Sequence, residues 1–172
     1  MIEEQVLFSK KDCEFILNFA KDFYRSEVID SYSDVYVSES RTSYECIIVI
    51  EEQLKKLFLE KLKAFGVKSL PNYVKIIRYS EGTEFMKHKD ASTQRPKRYR
   101  SLSIQLNDTY EDGELKIWGK DGKEFIASKE LGNAVIFDSG FDHQALPPSV
   151  GTRYSAVLWL SLENMGNSRK LI

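Results

Sequence analysis

Histidine is scarce in this chain. Only His88 and His143 occur among 172 residues. Cysteine is equally rare: Cys13 and Cys46 form no Cys-x-x-Cys pair and lie far from both histidines in sequence. That spacing argues against a zinc cluster and against a disulfide framework, so both read as small buried apolar residues. No segment approaches the ~18 apolar residues needed to span a bilayer, and the acidic stretch from Met1 to Lys10 has no apolar run behind a basic one. These absences predict a soluble, cytoplasmic protein with no membrane contact. Charge of one sign is also lacking, since 25 basic and 26 acidic residues leave a net charge of -1 and a pI near 6.2. No global field then draws the chain to nucleic acid or to an anionic surface, and nucleic acid is not an expected partner. There is no internal repeat, low-complexity tract or Gly/Ser linker. With 42% hydrophobic residues, the length suits one domain over residues 1–172.

What is present divides in two. Ser9 and Asp12 resemble a helix start, and Cys13, Ile16, Leu17, Ala20 and Tyr24 recur at helical spacing, which predicts a helix over about 10–25. Tyr36 to Ile50 reads as short extended pieces around a polar loop. From Glu51 a second helix places Leu54, Leu57, Phe58, Leu62 and Phe65 on one stripe and stops at Gly66. After Pro71 the period becomes two, with strands predicted at 73–79, 102–106, 114–118, 123–127, 134–138 and 154–161. Helices first and many short strands afterwards indicate an α+β fold. Leu102, Ile104 and Leu106 share one strand face, and Ser101, Ser103 and Gln105 share the other. An apolar face under helices and a polar face toward a cavity suit a jelly-roll (double-stranded β-helix) core at 71–165. In that reading a helical support at 1–70 packs its helices on one sheet.

His88 and Asp90 enclose a single residue, so in an extended segment both side chains share one face. His143 can complete a three-ligand set from a distant strand. Two imidazoles and one carboxylate on one side of an octahedral ion leave three positions open, the arrangement of non-haem Fe(II) oxygenases. A His-x-Asp pair alone is more often ordinary structure. Arg153 stands ten residues after His143, and its planar guanidinium is the side chain suited to bidentate pairing with a carboxylate. A cupin-like metal-binding module would have no use for that arginine. A hydrolase built on Asp138, Ser139 and His143 lacks the Gly-x-Ser-x-Gly elbow.

In order, the chain carries Arg78-Tyr-Ser-Glu-Gly82, His88-Lys-Asp90, Leu106-Asn-Asp-Thr-Tyr-Glu-Asp-Gly-Glu-Leu115, His143-Gln-Ala-Leu-Pro-Pro-Ser-Val-Gly-Thr-Arg153-Tyr and Trp159. Residues 73–161 thereby resemble the Fe(II)- and 2-oxoglutarate-dependent dioxygenases of the prolyl 4-hydroxylase type, and Ser40-Arg-Thr-Ser43 is similar to a segment that precedes the barrel in peptidyl prolyl hydroxylases. The resemblance implies Fe(II) on His88, Asp90 and His143, with 2-oxoglutarate and O2 in the open positions and ascorbate as a candidate addition. It implies that Arg153 receives the far carboxylate of the cosubstrate and that Tyr79 lines its pocket. Gln105 stands where hypoxia-sensing relatives place a tyrosine that grips the cosubstrate, and its amide can still donate to a carboxylate. Trp159 is expected inside the barrel near the distal histidine, Leu115 on the pocket floor, and the loop from Arg95 to Arg100 over the substrate. The implied reaction hydroxylates an unactivated carbon, a prolyl residue in a peptide or protein above all, with release of succinate and CO2. Collagen-type enzymes usually carry lysine at the Arg153 position, which argues against collagen as substrate. A free amino acid or small natural product is the alternative substrate. A nucleic-acid demethylase would place a second arginine where Trp159 stands.

Overall fold

Short local signals decide where the elements begin. A computed structural model describes residues 1–29, 32, 34–93, 95 and 97–166. Ser9 caps the first helix: its hydroxyl accepts from the Asp12 amide at 3.1 Å while the Asp12 carboxylate accepts from the Ser9 amide at 2.8 Å. That reciprocal pair satisfies two donors that the helix itself cannot. In chain order the elements are β1 (Ile2–Val6), α1 (Lys10–Leu17), β2 (Tyr24–Arg25), β3 (Val28–Ile29), β4 (Val35–Tyr36), β5 (Tyr44–Val49), α2 (Glu52–Leu62), a 3-10 turn (Lys63–Phe65), β6 (Tyr73–Tyr79), β7 (Phe85–His88) and β8 (Arg100–Gln105). There follow β9 (Tyr110–Asp112), β10 (Leu115–Trp118), β11 (Glu124–Ile126), β12 (Asn133–Asp138), β13 (Asp142–Ala145), β14 (Pro148–Gly151) and β15 (Arg153–Leu160).

All strand pairings are antiparallel. The major sheet has seven strands in the order β1-β12-β8-β15-β6-β5-β2, and the minor sheet has four in the order β11-β10-β13-β7. Two facing sheets with long crossovers form a double-stranded β-helix, so the α+β jelly roll expected from the pattern is the observed architecture. Period-two alternation sorts each major-sheet strand into two faces. Val74 and Ile76 of β6, Leu102 and Ile104 of β8, Ala134 and Ile136 of β12, and Ala156 and Leu158 of β15 turn outward. There they form one buried cluster with Cys13 and Ile16 of α1 and Leu54, Phe58 and Leu62 of α2. Each fully buried Leu, Ile or Phe contributes about 1.5–3 kcal/mol of transfer free energy, so this layer holds the helices to the sheet.

Three expectations need correction. The first helix ends at Leu17, not near residue 25: Asn18 caps it, Asp22 takes a positive φ of 54°, and Tyr24 pairs with Glu45 in the sheet. Strand pairing outbids the weak helical periodicity of that segment. The first seventy residues are not only a helical support, because β1, β2 and β5 join the major sheet. β1 escaped notice since Ile2-Glu-Glu-Gln-Val6 is a charged edge strand with little apolar content. The strands carrying His88, Tyr110, His143 and Pro148 were too short to show a period, and Asp90 lies just beyond β7 instead of on it. Gln94 and Pro96 of the 91–100 loop, and residues 167–172 of the expected 1–172 domain, lie outside the described residues.

One junction locks the N-terminal segment to the sheet. The amides of Leu7 and Phe8 both donate to the Gly132 carbonyl, and the Gly132 amide donates to the Gln105 carbonyl. Gly132 has φ +80°, and a Cβ there would run into the Phe8 carbonyl oxygen. Gly132→Ala is expected to cost about 2–4 kcal/mol, combining left-handed strain with a backbone clash. Thermal unfolding should show a drop of several degrees, and an unchanged Tm would contradict the close approach.

Candidate metal centre

The minor sheet brings the two histidines together by register. His143 on β13 is the cross-strand partner of His88 on β7, with a register shift toward Ala145 and Phe85. Their ring centroids are 4.2 Å apart. Asp90 arrives two residues beyond the end of β7, where the amides of Asp90 and Ala91 both donate to the Ser139 carbonyl at 3.0 and 2.8 Å. One Asp90 oxygen then lies 3.6 Å from His88 Nε2 and the other 3.3 Å from His143 Nε2. One ligand atom from each of the three residues falls within 4.8 Å of the others, so a single ion could be held among them.

The surrounding contacts set the chemistry of these atoms. His88 Nδ1 lies 2.7 Å from the Met86 carbonyl and His143 Nδ1 lies 3.1 Å from the Phe141 carbonyl. Donation from Nδ1 fixes the tautomer that leaves each Nε2 lone pair free, the outer-shell device typical of metal-bound imidazoles. The Ser101 hydroxyl donates to Asp90 at 2.6 Å and lies 2.9 Å from the Ser139 hydroxyl. Phe85 stacks on His88 with centroids 3.4 Å apart, and Phe137 meets His143 edge-on at 4.9 Å. Burial works against the Asp90 charge, yet His143 and His88 outweigh it and hold the carboxyl well below its usual range. Burial lowers His88, whereas at His143 the Asp90 charge overcomes burial and raises the imidazole. The carboxylate is therefore anionic and ready to ligate. A donor set of two nitrogens and one oxygen, open on the pocket side, fits Fe(II).

Arg153 closes the other end of the cavity. The pocket beside the triad encloses about 50 Å³ between the two sheets, with Tyr79, Leu115, Trp159 and Arg153 in its lining. Arg153 is 3% exposed. Its Nε donates to Gln105 Oε1 at 3.2 Å, and its guanidinium carbon sits 5.3 Å from the Tyr79 ring centre, Tyr79 being its cross-strand partner. Among the described residues no carboxylate pairs with it. A buried cation without an anion is expensive unless a ligand supplies one. Two more polar groups at this end are orphaned: the Gln105 side-chain nitrogen and the Tyr110 hydroxyl are buried without a hydrogen-bond partner. Burial raises the Tyr110 phenol, and the Arg153 charge opposes that rise. Arg153, Gln105 and Tyr110 line one small cavity together, while Arg153 also faces the metal pocket, where a buried guanidinium suits the far carboxylate of 2-oxoglutarate.

His88, Asp90, His143, Tyr79 and Arg153 line one pocket, whereas Gln105 lines an adjoining smaller cavity. Its oxygen is spent on Arg153, and only its nitrogen remains for a ligand. The sequence reading missed Tyr110, Ser101 and Ser139. Tyr110 stood in a motif already noted, and only the left-handed Gly113, against whose Cβ position its ring packs, hints at a fixed role. Alternation places Ser101 on the cavity face, but nothing in the sequence pairs it or Ser139 with Asp90. Arg41, noticed only as part of Ser40-Arg-Thr-Ser43, is buried in the pocket wall. It sits 4.6 Å over the Phe85 ring and pairs with Glu45 at 2.6 Å, while Lys75 reaches the other Glu45 oxygen at 2.8 Å.

Residues 74–161 match the model of the 2OG-Fe(II) oxygenase superfamily, and the chain belongs to that family. Membership implies Fe(II), 2-oxoglutarate and O2 as the cofactor set. A PKHD-type hydroxylase from Cupriavidus pinatubonensis is 29% identical over 147 residues, which cover 78% of this chain and 59% of the relative. The chain thus spans under two thirds of that relative's length. The fold is that of a Pseudomonas putida prolyl-4-hydroxylase (TM-score 0.68, 17% identity, 93% of this chain and 91% of that one). It is likewise that of a Trichoplax adhaerens prolyl hydroxylase in complex with a hypoxia inducible factor peptide fragment (TM-score 0.71, 16% identity, 99% and 87%).

Two outcomes test this geometry. Ser101→Ala removes the donor that orients Asp90, and should weaken Fe(II) or Co(II) binding about tenfold to a hundredfold with the fold retained. Calorimetric titration that finds wild-type affinity would remove Ser101 from the site. Burial pushes the Glu45 carboxyl up, but the Arg41 and Lys75 charges prevail and hold it below the ordinary glutamate range. A depressed native pKa adds stability that is present above about pH 4.5 and fades as pH falls through the lower native value. Glu45→Gln should therefore lower stability at neutral pH and flatten the acid limb of the unfolding profile measured by circular dichroism. An unaltered limb would show that this carboxylate does not govern acid sensitivity.

Proposed function

We propose that the protein is an Fe(II)- and 2-oxoglutarate-dependent dioxygenase that hydroxylates an unactivated carbon, a prolyl residue in a peptide or protein being the substrate class. Succinate and CO2 are the accompanying products. The observation that carries this reading is the convergence of His88, Asp90 and His143 on one point with the unpaired Arg153 across the same pocket. In this reading the triad holds the iron. The bound metal and cosubstrate supply the oxidising chemistry, which no side chain of the pocket can provide.

The chain's own residues do the positioning. Arg153, helped by Gln105 and Tyr110, binds the far carboxylate and so fixes the cosubstrate's direction along the pocket. Tyr79, Phe137 and Leu115 shelter that space from water. The Met86 and Phe141 carbonyls keep each imidazole proton on Nδ1, and Ser101 keeps Asp90 oriented. The peptide-bound state of the Trichoplax relative supports a polypeptide substrate. No helix among the described residues is long and apolar enough to cross a membrane. A cytoplasmic location belongs to the same proposal, supported by two cysteines that are buried and free.

Succinate formation with Fe(II), 2-oxoglutarate and proline-containing peptides, with and without ascorbate, tests the activity. Formation that depends on peptide is expected, and mass spectrometry should find one added oxygen atom on the peptide. His88→Ala should abolish both turnover and metal binding. Arg153→Ala should weaken 2-oxoglutarate binding by about a hundredfold while retaining iron, the usual consequence of removing one partner of a buried charge pair. Full activity of His88→Ala would end the reading.

A further inference from the structure

The minor sheet is narrower than the major one, and this leaves part of the inner face unroofed. β7 is the last strand of the minor sheet, and among the described residues no further strand extends that sheet over β5 and β6. Ile47 pairs with Lys75 across β5 and β6, and Lys75 with Val157 across β6 and β15, so these side chains lie in one row of that face. Ile47 is 49% exposed and Tyr73 56% exposed, although both belong to the face that is buried elsewhere. Together with Pro71 and Trp159 they floor a groove of about 960 Å³. The groove is continuous with the candidate metal centre. Trp159 lines it and also the metal pocket, while Arg95 and Arg98 line it and also the vestibule containing His88 and Asp90.

The rim of the groove is strongly basic. Arg95, Lys97, Arg98 and Lys75 line it, and no acidic residue among the described ones does. Lys75 is already paired with Glu45, but among the described residues the other three have no carboxylate partner. Arg98 stacks on Trp159 at 3.7 Å, and among the described residues its side chain makes only one hydrogen bond, a long one of 3.5 Å to the Asp90 carbonyl. A half-exposed aliphatic and aromatic floor beside unpaired cations matches a chain that alternates apolar and carboxylate side chains. Single-stranded nucleic acid fits less well, since bases need free aromatic faces. The Trp159 ring is flanked by Arg98 and by Lys75 at 5.4 Å.

From this geometry we infer that the groove over Ile47, Tyr73 and Trp159, rimmed by Arg95, Lys97 and Arg98, docks an extended acidic and apolar segment of a polypeptide substrate. The inference rests on the hydroxylase reading and adds the kind of sequence that flanks the target residue. None of His88, Asp90 and His143 lines the groove, so it selects substrates and takes no part in the chemical step.

The test uses fluorescent peptides of one apolar sequence around a central proline, carrying Glu, Gln or Lys at the variable positions, and an oligo-dT control, all measured by anisotropy on the full chain. The Glu peptide should bind about tenfold tighter than the Lys peptide, and the preference should shrink as salt rises. Arg95→Glu with Lys97→Glu should reverse that ranking, and Ile47→Ser should weaken all three peptides several-fold. In turnover the same charge reversal should raise KM for the Glu peptide with little change in kcat. Equal binding of the three peptides, an unreversed ranking in the charge-reversed protein, or tighter binding of oligo-dT would overturn the inference. Anisotropy needs no catalysis, so the two readings fail separately. Ranked binding without succinate would sink the hydroxylase alone, and succinate without ranked binding would sink the groove alone.

Discussion

A carboxylate clasped between two imidazoles is the interaction on which the rest of this structure depends. Asp90 is buried, and a buried anion is tolerated only where cations and donors surround it. His88, His143 and Ser101 supply that surround, and each comes from a different strand. The cluster is therefore a tertiary clamp as well as a ligand set. It ties β7 and β13 of the minor sheet to β8 of the major sheet, and it keeps a polar cavity open between two layers that would otherwise collapse onto each other.

That cavity exists because the major sheet does two jobs at once. Its outward side chains pack on α1 and α2 in a fully apolar layer, so stability resides on one face. The inward face is then free to carry Arg153, Gln105, Ser101 and Ser155, which would be costly in a core. Alternation along each strand keeps the two jobs apart, since neighbouring residues serve opposite faces. The inward row also continues past the edge of the minor sheet, and there the same alternation exposes apolar and basic side chains beside the vestibule.

Charge is organised by the same rule. Wherever a buried cation in the pocket wall has a protein partner, as Arg41 and Lys75 have in Glu45, it is structural. Among the described residues Arg153 is buried and Arg98 half-buried without one, and each lines a cavity of the site. An unpaired buried cation is a more telling sign of binding than its residue type, because desolvation makes it untenable unless something complementary arrives.

Much of this could be read from the chain. The second helix, the order of the long strands and the two faces of the strand near residue 104 follow from periodicity, which a single sequence displays directly. His88, Asp90, His143 and Arg153 were legible because histidine is rare and their spacing is distinctive. The short strands that carry His88, Tyr110, His143 and Pro148 were not legible, since they show no clear apolar alternation, and the end of the first helix depended on a distant partner strand. Tertiary structure alone decided that Tyr110 joins Arg153, that Ser101 orients Asp90, and that Gln105 braces Arg153 before it can serve a ligand. The reason is physical: local propensity and spacing are properties of neighbours along the chain. Hydrogen-bond partnership and burial depend on strand registers that bring together residues tens of positions apart.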